Sequence, residues 1–313
     1  MRQQHTLNNM KLLVILAVTV ALTAFKSDKP AYQFYTQTGK TTSYEKLLKE
    51  ATGADVVLFG ELHNNPICHW FELQLAKDLT AQRGTYLVLG AEMFEADNQQ
   101  ALSRYVSGQT SATEFADEAR LWPNYDTDYR PIVDLARDKK LTFAATNVPR
   151  RYASLVARQG LAALDTVSAT GKQQMAKLPL TVDLTLPGYK AMLDMMGTHG
   201  GATSGGNGPQ AMMPQVENFA RAQALKDATM ARFILENGRF DGTKPGRTVL
   251  HFNGDYHSKN FEGIIWYLRQ QQPNLKIVTI SSVEADDVSR SQKDWKGLGT
   301  FILAIPADMT KTY

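Results

Sequence analysis

Glu61 and His63 stand one residue apart at the end of LFGELHNN, residues 58–65. An acid beside a base is the pairing that general acid–base chemistry needs, and both side chains are also metal ligands. Glu92, in GAEMFE, ends a second apolar run. A carboxylate buried there without a partner would be costly, so it calls for one or for a ligand. NGDYHS brings His257 late in the chain, and histidine at a strand end serves as general base or ligand. Glu61, His63, Glu92 and His257 therefore make one candidate set, catalytic or metal-binding, suited to Zn, Mn or Fe. They come from distant segments, and no HExxH signature joins them. Structural roles compete at each position. His63 and Asn64 can cap the next helix, Glu95 can be a first-turn helix acid, and Asp255 a turn former. His251 reads as a satisfied core histidine, and His69 as structural or part of a rim.

The elements that must position these groups alternate. Strands are expected at 55–60, 85–93, 141–148, 247–252, 276–281 and 301–305. Helices are expected at 66–83 (capped by Asn64 or Asn65 and stopped by Gly84), 97–106, 112–121, 132–140, 149–158, 216–237 and 261–271. Residues 122–131, WPNYDTDYRP, read as a loop. Apolar strands alternating with amphipathic helices predict an α/β fold. Its sheet is mostly parallel with helices on both faces, and it carries a helical, Met-rich insertion or lid. Ligands in such folds sit outside the carboxyl ends of the strands. The polar groups fall there: Glu61 and His63, Glu92 and Glu95, Asn147 with Arg150 and Arg151, then Asn253, Asp255 and His257.

Hydrophobic content of 43% and charged content of 21% are those of a globular chain. Residues 12–25 form an uncharged apolar run of 14 residues behind Arg2 and Lys11. A spanning helix needs about 20 residues. Residues 1–26 are therefore expected to be an export signal, cleaved or retained as an anchor, which places the protein in the periplasm or at a membrane. That segment holds Arg2, Lys11 and Lys26 and no acid. The 34 basic residues fall to 31 without it, against 31 acidic ones, a net of zero. No basic run points to nucleic acid. Cys68 is the one cysteine, so no internal disulfide forms, and none stands near residue 25 for lipid attachment.

VVLFGELHNN, LVLGAEMFEADNQQAL, TNVPRRYA and GDYHS resemble, in that order, the ChaN family of extracytoplasmic haem-binding proteins, related to the Tiki and TraB proteins and to erythromycin esterases. The shared elements here are Gly60–His63, Glu92–Phe94 and Gly254–His257, with residues 222–234 similar to the family's late helix. Tyr256 stands where the late element of the family has glycine, and the family's lipoprotein cysteine is absent. The resemblance spans residues 45–285, with 27–44 as an N-terminal extension and 286–313 as a C-terminal strand and tail. It implies haem binding in haem or iron uptake, with an outer-membrane haem or iron receptor as partner and a homodimer as assembly.

Haem wants an axial His, Tyr or Met, apolar faces and cations for its propionates. Residues 187–219 offer Tyr189, Lys190, Met192, Met195, Met196, His199, Met212 and Met213, interrupted by GGATSGGNG at 200–208. Tyr189 and His199 are the axial candidates, with Tyr256 and Tyr125 behind them. Met196 and Lys190 are further contacts. A mobile loop beside a Met-packed helix, or a Cu(I) site, fits the same composition. The alternative to haem binding is a metal-dependent hydrolase in which His63 or His257 activates water.

Overall fold

The computed structural model describes residues 29–199, 209–240 and 246–313. The N-terminal apolar segment and residues 200–208 lie outside the described residues, as do the side chains of His199, Met212 and Met213. Residues 32–313 form one compact unit.

A hairpin of β1 (Gln33–Thr36) and β2 (Thr41–Thr42) leads into α1 (Tyr44–Thr52), then β3 (Val56–Glu61) and α2 (Pro66–Arg83). β4 (Leu87–Glu95), α3 (Gln99–Val106), α4 (Ala112–Glu118) and α5 (Arg130–Lys139) follow, then β5 (Thr142–Asn147) and α6 (Arg150–Gln159). After the short α7 (Ala169–Lys172) come α8 (Pro187–His199) and α9 (Pro209–Gly238), which include the expected Met-rich helical insertion. β6 (Thr248–Gly254), α10 (Ile264–Gln271), β7 (Ile277–Ala285) and β8 (Phe301–Pro306) complete the unit.

The eight strands lie in the order 2-1-8-7-3-6-4-5. From β8 to β5 every pairing is parallel, and only the β1 hairpin runs antiparallel. The sheet extends past residues 45 and 285 at both ends, because β1 pairs with β8 and β8 with β7.

The strands are covered on both faces, and the period of two decides which residue goes where. Val57 and Phe59 of β3, with Leu250 and Phe252 of β6, join a core shared with α1 to α5. Val56, Leu58 and Val249 join the opposite core with α6, α9 and α10. Continuing that alternation carries Glu61 to the α2 side. β6 lies between β3 and β4, so its carboxyl end sits between the ends that carry Glu61 and Glu92.

Besides the β1–β2 hairpin and α1, which the sequence pattern does not predict, two expected segments take another form. Residues 122–131 are not a plain loop, since Tyr125–Tyr129 form one π-helical turn that runs into α5 and buries Asp128 and Tyr129. α10 starts at Ile264, three residues later than expected, because Asn260, Phe261 and Gly263 all take positive φ, which ends helical geometry. Among the described residues no helix is long and apolar enough to cross a membrane.

Candidate functional site

A cleft of about 520 Å³ opens at the carboxyl ends of the parallel strands. His63, Glu92 and His257 line it, with Trp122, Val148, Met192, Phe219 and Tyr256 supplying apolar wall and Arg150 and Lys226 positive charge. Two hollows of about 620 and 570 Å³ lie at the amino ends of strands, and no buried carboxylate or imidazole lines either.

His63 is the open member, its side chain 36% exposed. The ring lies edge-on to Trp122, 4.9 Å between centroids. Its Nδ1 donates to Glu61 Oε1 at 2.6 Å, and the Tyr129 hydroxyl donates to the same oxygen at 2.7 Å. Burial disfavours the charged ring, but the hydrogen bond and charge of Glu61 outweigh it and raise the His63 pKa above 6.5. Nε2 is left on the cleft side, beside Gly254. A Cβ at Gly254 would meet His63 Nε2 at 2.7 Å, too close to fit, and Glu92 Oε2 at an ordinary 3.5 Å, so glycine makes room for the His63 ring.

The other half of the site is a buried relay. Glu92 Oε2 accepts the Gly254 amide at 2.9 Å, and Glu92 Oε1 accepts from His257 Nε2 at 3.2 Å. His257 Nδ1 donates to Asp227 Oδ1 at 2.6 Å, and the Tyr189 hydroxyl donates to Asp227 Oδ2 at 2.6 Å. Burial works against a charged His257, but the two carboxylates prevail and hold its pKa at about 10. Glu92 is pulled below the usual carboxylate range, because the His257 charge and hydrogen bond exceed the burial that would raise it. His257 is therefore an imidazolium with both nitrogens occupied.

Behind His63 lies a second cluster. His69 and Glu72, at i and i+3 on α2, are joined through Nδ1 and Oε2 at 3.0 Å. His69 Nδ1 also lies 3.8 Å from Glu61 Oε2. On its other side, Nε2 faces the His63 carbonyl at 3.1 Å and Asp128 Oδ2 at 3.3 Å. Burial and the Glu61 charge push the Glu72 pKa well up, while the His63 and Glu72 contacts overcome burial and lower that of Glu61. Glu61 is the ionised partner.

The four strand-end residues are thus brought together, but not on one surface. His63, Glu92 and His257 face the cleft, whereas Glu61 is buried behind His63 because strand alternation aims it at α2. His257 cannot serve as a metal ligand or general base without giving up a carboxylate, which corrects the role expected for it. Tyr189, expected as an axial ligand, is buried with its hydroxyl held by Asp227, so it is a core residue of α8. Lys190 is exposed on α8, and neither it nor Met196 lines the cleft. Tyr125 is also misplaced by the expectation, since it is buried against Phe94 and Phe115. Of the haem-contact candidates, Tyr256 does reach the cleft, its hydroxyl 3.4 Å from the Gly188 carbonyl. His251 is a core histidine as expected. Sequence reading missed Asp227, Tyr129 and Asp128. It also underrated His69, although the i,i+3 pairing of His69 with Glu72 was visible.

The family described as "Haem-binding uptake, Tiki superfamily, ChaN" matches residues 47–268. The chain belongs to the ChaN family. No curated protein matches it in sequence. Among solved structures, ChaN of Campylobacter jejuni, described for cofacial haem binding, is similar with a TM-score of 0.64 at 17% identity, covering 88% of this chain and 97% of that one. An erythromycin esterase variant in its open conformation gives 0.45 at 12%, covering 80% and 77%. The type III effector HopBA1 gives 0.44 at 11%, covering 83% and 91%. The fold is thus that of a ChaN protein, and all four stretches that carry the resemblance in sequence contribute residues to the carboxyl-end cleft.

Proposed function

We propose that this ChaN-family chain binds haem in the carboxyl-end cleft and serves haem or iron uptake outside the cytoplasm. The family match over residues 47–268 carries the proposal. The cleft residues fit the group. Haem requires an axial His, Tyr or Met, apolar contact for its faces and cations for its propionates. Tyr256, His63 and Met192 are the ligand types open within the cleft, with Tyr256 and His63 the leading candidates, Trp122, Val148 and Phe219 give apolar wall, and Arg150 and Lys226 give charge. Met192 packs its sulfur 3.9 Å from the Tyr256 hydroxyl. Bound haem would supply iron as cargo. Burial, with the Asp227 charge adding to it, raises the Tyr256 pKa, so a phenolate ligand there needs the ferric ion to displace its proton. Export through residues 1–26, a homodimer and delivery from an outer-membrane receptor complete the proposal.

Ferric haem titrated into the purified chain tests it, read by the Soret band. Saturation at stoichiometric haem is expected, with at least tenfold weaker binding in Tyr256→Phe or His63→Ala, whichever supplies the axial atom. Tyr189→Phe is expected to keep the band. Absence of a spectral change at stoichiometric haem overturns the proposal. The hydrolase alternative retains one supporting observation, the Glu61-held imidazole of His63 with Nε2 toward the cleft. Ester turnover lost in His63→Ala would favour it.

A further inference from the structure

We propose a divalent-metal site behind the cleft, formed by Glu61 Oε2, His69 Nδ1 and the Glu72 carboxylate, which the chain fills on folding. It is separate from the haem cleft and independent of haem.

The geometry starts from His69. Its Nε2 faces the His63 carbonyl and Asp128, and Asp128 already accepts from Asn124 Nδ2 at 2.6 Å and Thr312 Oγ1 at 2.7 Å. A carbonyl only accepts, so Nε2 carries the ring proton. Nδ1 is the ring atom left to act as a metal donor, and it faces two carboxylates, Glu72 Oε2 at 3.0 Å and Glu61 Oε2 at 3.8 Å. The three groups converge on one point, and something positive must lie between them: the proton that Glu72 keeps in the metal-free chain, or a divalent cation that replaces it.

Glu61 and Glu72 are both essentially fully buried, so water does not screen them from each other. Each also keeps an oxygen with no hydrogen-bond partner, Glu61 Oε2 and Glu72 Oε1. Glu61 Oε1 is satisfied twice over while Oε2 has nothing. One donor atom from each of Glu61, His69 and Glu72 lies within 4.8 Å of the others. Ligand bonds of 2.0–2.2 Å in tetrahedral geometry place donors about 3.3–3.6 Å apart, which the measured separations of 3.0 and 3.8 Å bracket.

An imidazole and two carboxylates are the mixed nitrogen and oxygen donors that Zn or Mn accepts. Two carboxylate charges also balance a divalent ion, which matters in a buried site. The surroundings match what holds metal ligands in place. Nε2–H of His69 is anchored on a carbonyl and a carboxylate, and Tyr129 and His63 hold the other oxygen of Glu61. A metal on Glu61 Oε2 would therefore fix the carboxylate that orients His63 at the cleft.

The test unfolds the full chain in denaturant with chelator, then refolds it with Zn²⁺ or Mn²⁺ alone and without haem. Metal retained after gel filtration is then counted. One ion per chain is expected for the native sequence, with a higher Tm than the metal-free refolded protein. Glu72→Gln is expected to retain none, Asp128→Asn to bind 10–100-fold more weakly, and Glu50→Gln, at an exposed position of α1, to retain the full complement. No ion on the native chain overturns the site and leaves a shared proton as the bridge. Equal retention by Glu72→Gln, or loss in Glu50→Gln, also overturns it. Because haem is absent throughout, failure here is distinct from failure of haem binding.

Discussion

Lowering the pH should expose the cost of a charge on His251. This residue lies fully buried in β6. Asn253 donates through Nδ2 to Ser258 Oγ and to the Gly254 carbonyl, which turns its Oδ1 toward His251 Nδ1 at 3.1 Å. Nδ1 therefore holds the single proton of the neutral ring, and Nε2 lies 2.8 Å from Thr146 Oγ1, whose hydroxyl is shared with the Ala91 carbonyl at 2.9 Å. A second proton would charge the core, and burial lowers the pKa from 6.5 to about 4. At about 1.36 kcal/mol for each pH unit, that displacement is worth about 3 kcal/mol. The sign follows from proton binding. The unfolded chain takes up the proton near pH 6.5, while the folded chain refuses it until about pH 4. The unfolded state holds more protons between those values, so stability falls as pH falls through that window.

His251→Leu removes the titration. It also strands Asn253 Oδ1, at a pH-independent cost of about 1–3 kcal/mol. Urea unfolding of both proteins from pH 7 down to pH 4 reads the difference. The native chain should lead at pH 7, and the gap should shrink by about 3 kcal/mol by pH 4. A gap that stays constant over that range refutes the assignment of His251 as a neutral buried ring.

Removing one partner of His257 should be severe. Asp227→Asn is expected to cost about 3–5 kcal/mol at pH 7 in denaturant unfolding. The stability that His257 contributes is present below pH 6.5 and is lost as pH rises toward about 10, so the variant should show a flatter alkaline limb. Gly263, at φ 54°, cannot take a side chain, because its Cβ would lie 2.3 Å from the His257 carbonyl oxygen. Gly263→Ala should lower stability by about 2 kcal/mol or more, against about 1 for Gly108→Ala, whose Cβ would meet nothing within 4 Å. Gly254→Ala should displace His63, reducing haem affinity at least tenfold. A thermal melt and a Soret titration on one sample show whether the affinity changes while the fold persists.

The alternation of apolar strands with helices was legible because burial on both faces leaves no other composition for a parallel strand. So was the carboxyl-end position of Glu61, His63, Glu92 and His257, since each follows an apolar run directly. The direction in which each side chain points was not. Glu61 turns away from the cleft through the parity of β3, and its partners on α2 and in the turn at 125–129 are fixed only when those elements dock. Tyr189 could be read as a haem ligand until α8 was seen to bury it on Asp227 of α9. The sequence by itself determined which residues can carry protons, iron or metal. Tertiary structure alone decided their charge states, because His251 near 4 and His257 near 10 differ only in what surrounds the same ring. Desolvation acts on both, and two carboxylates from separate elements reverse it at one of them.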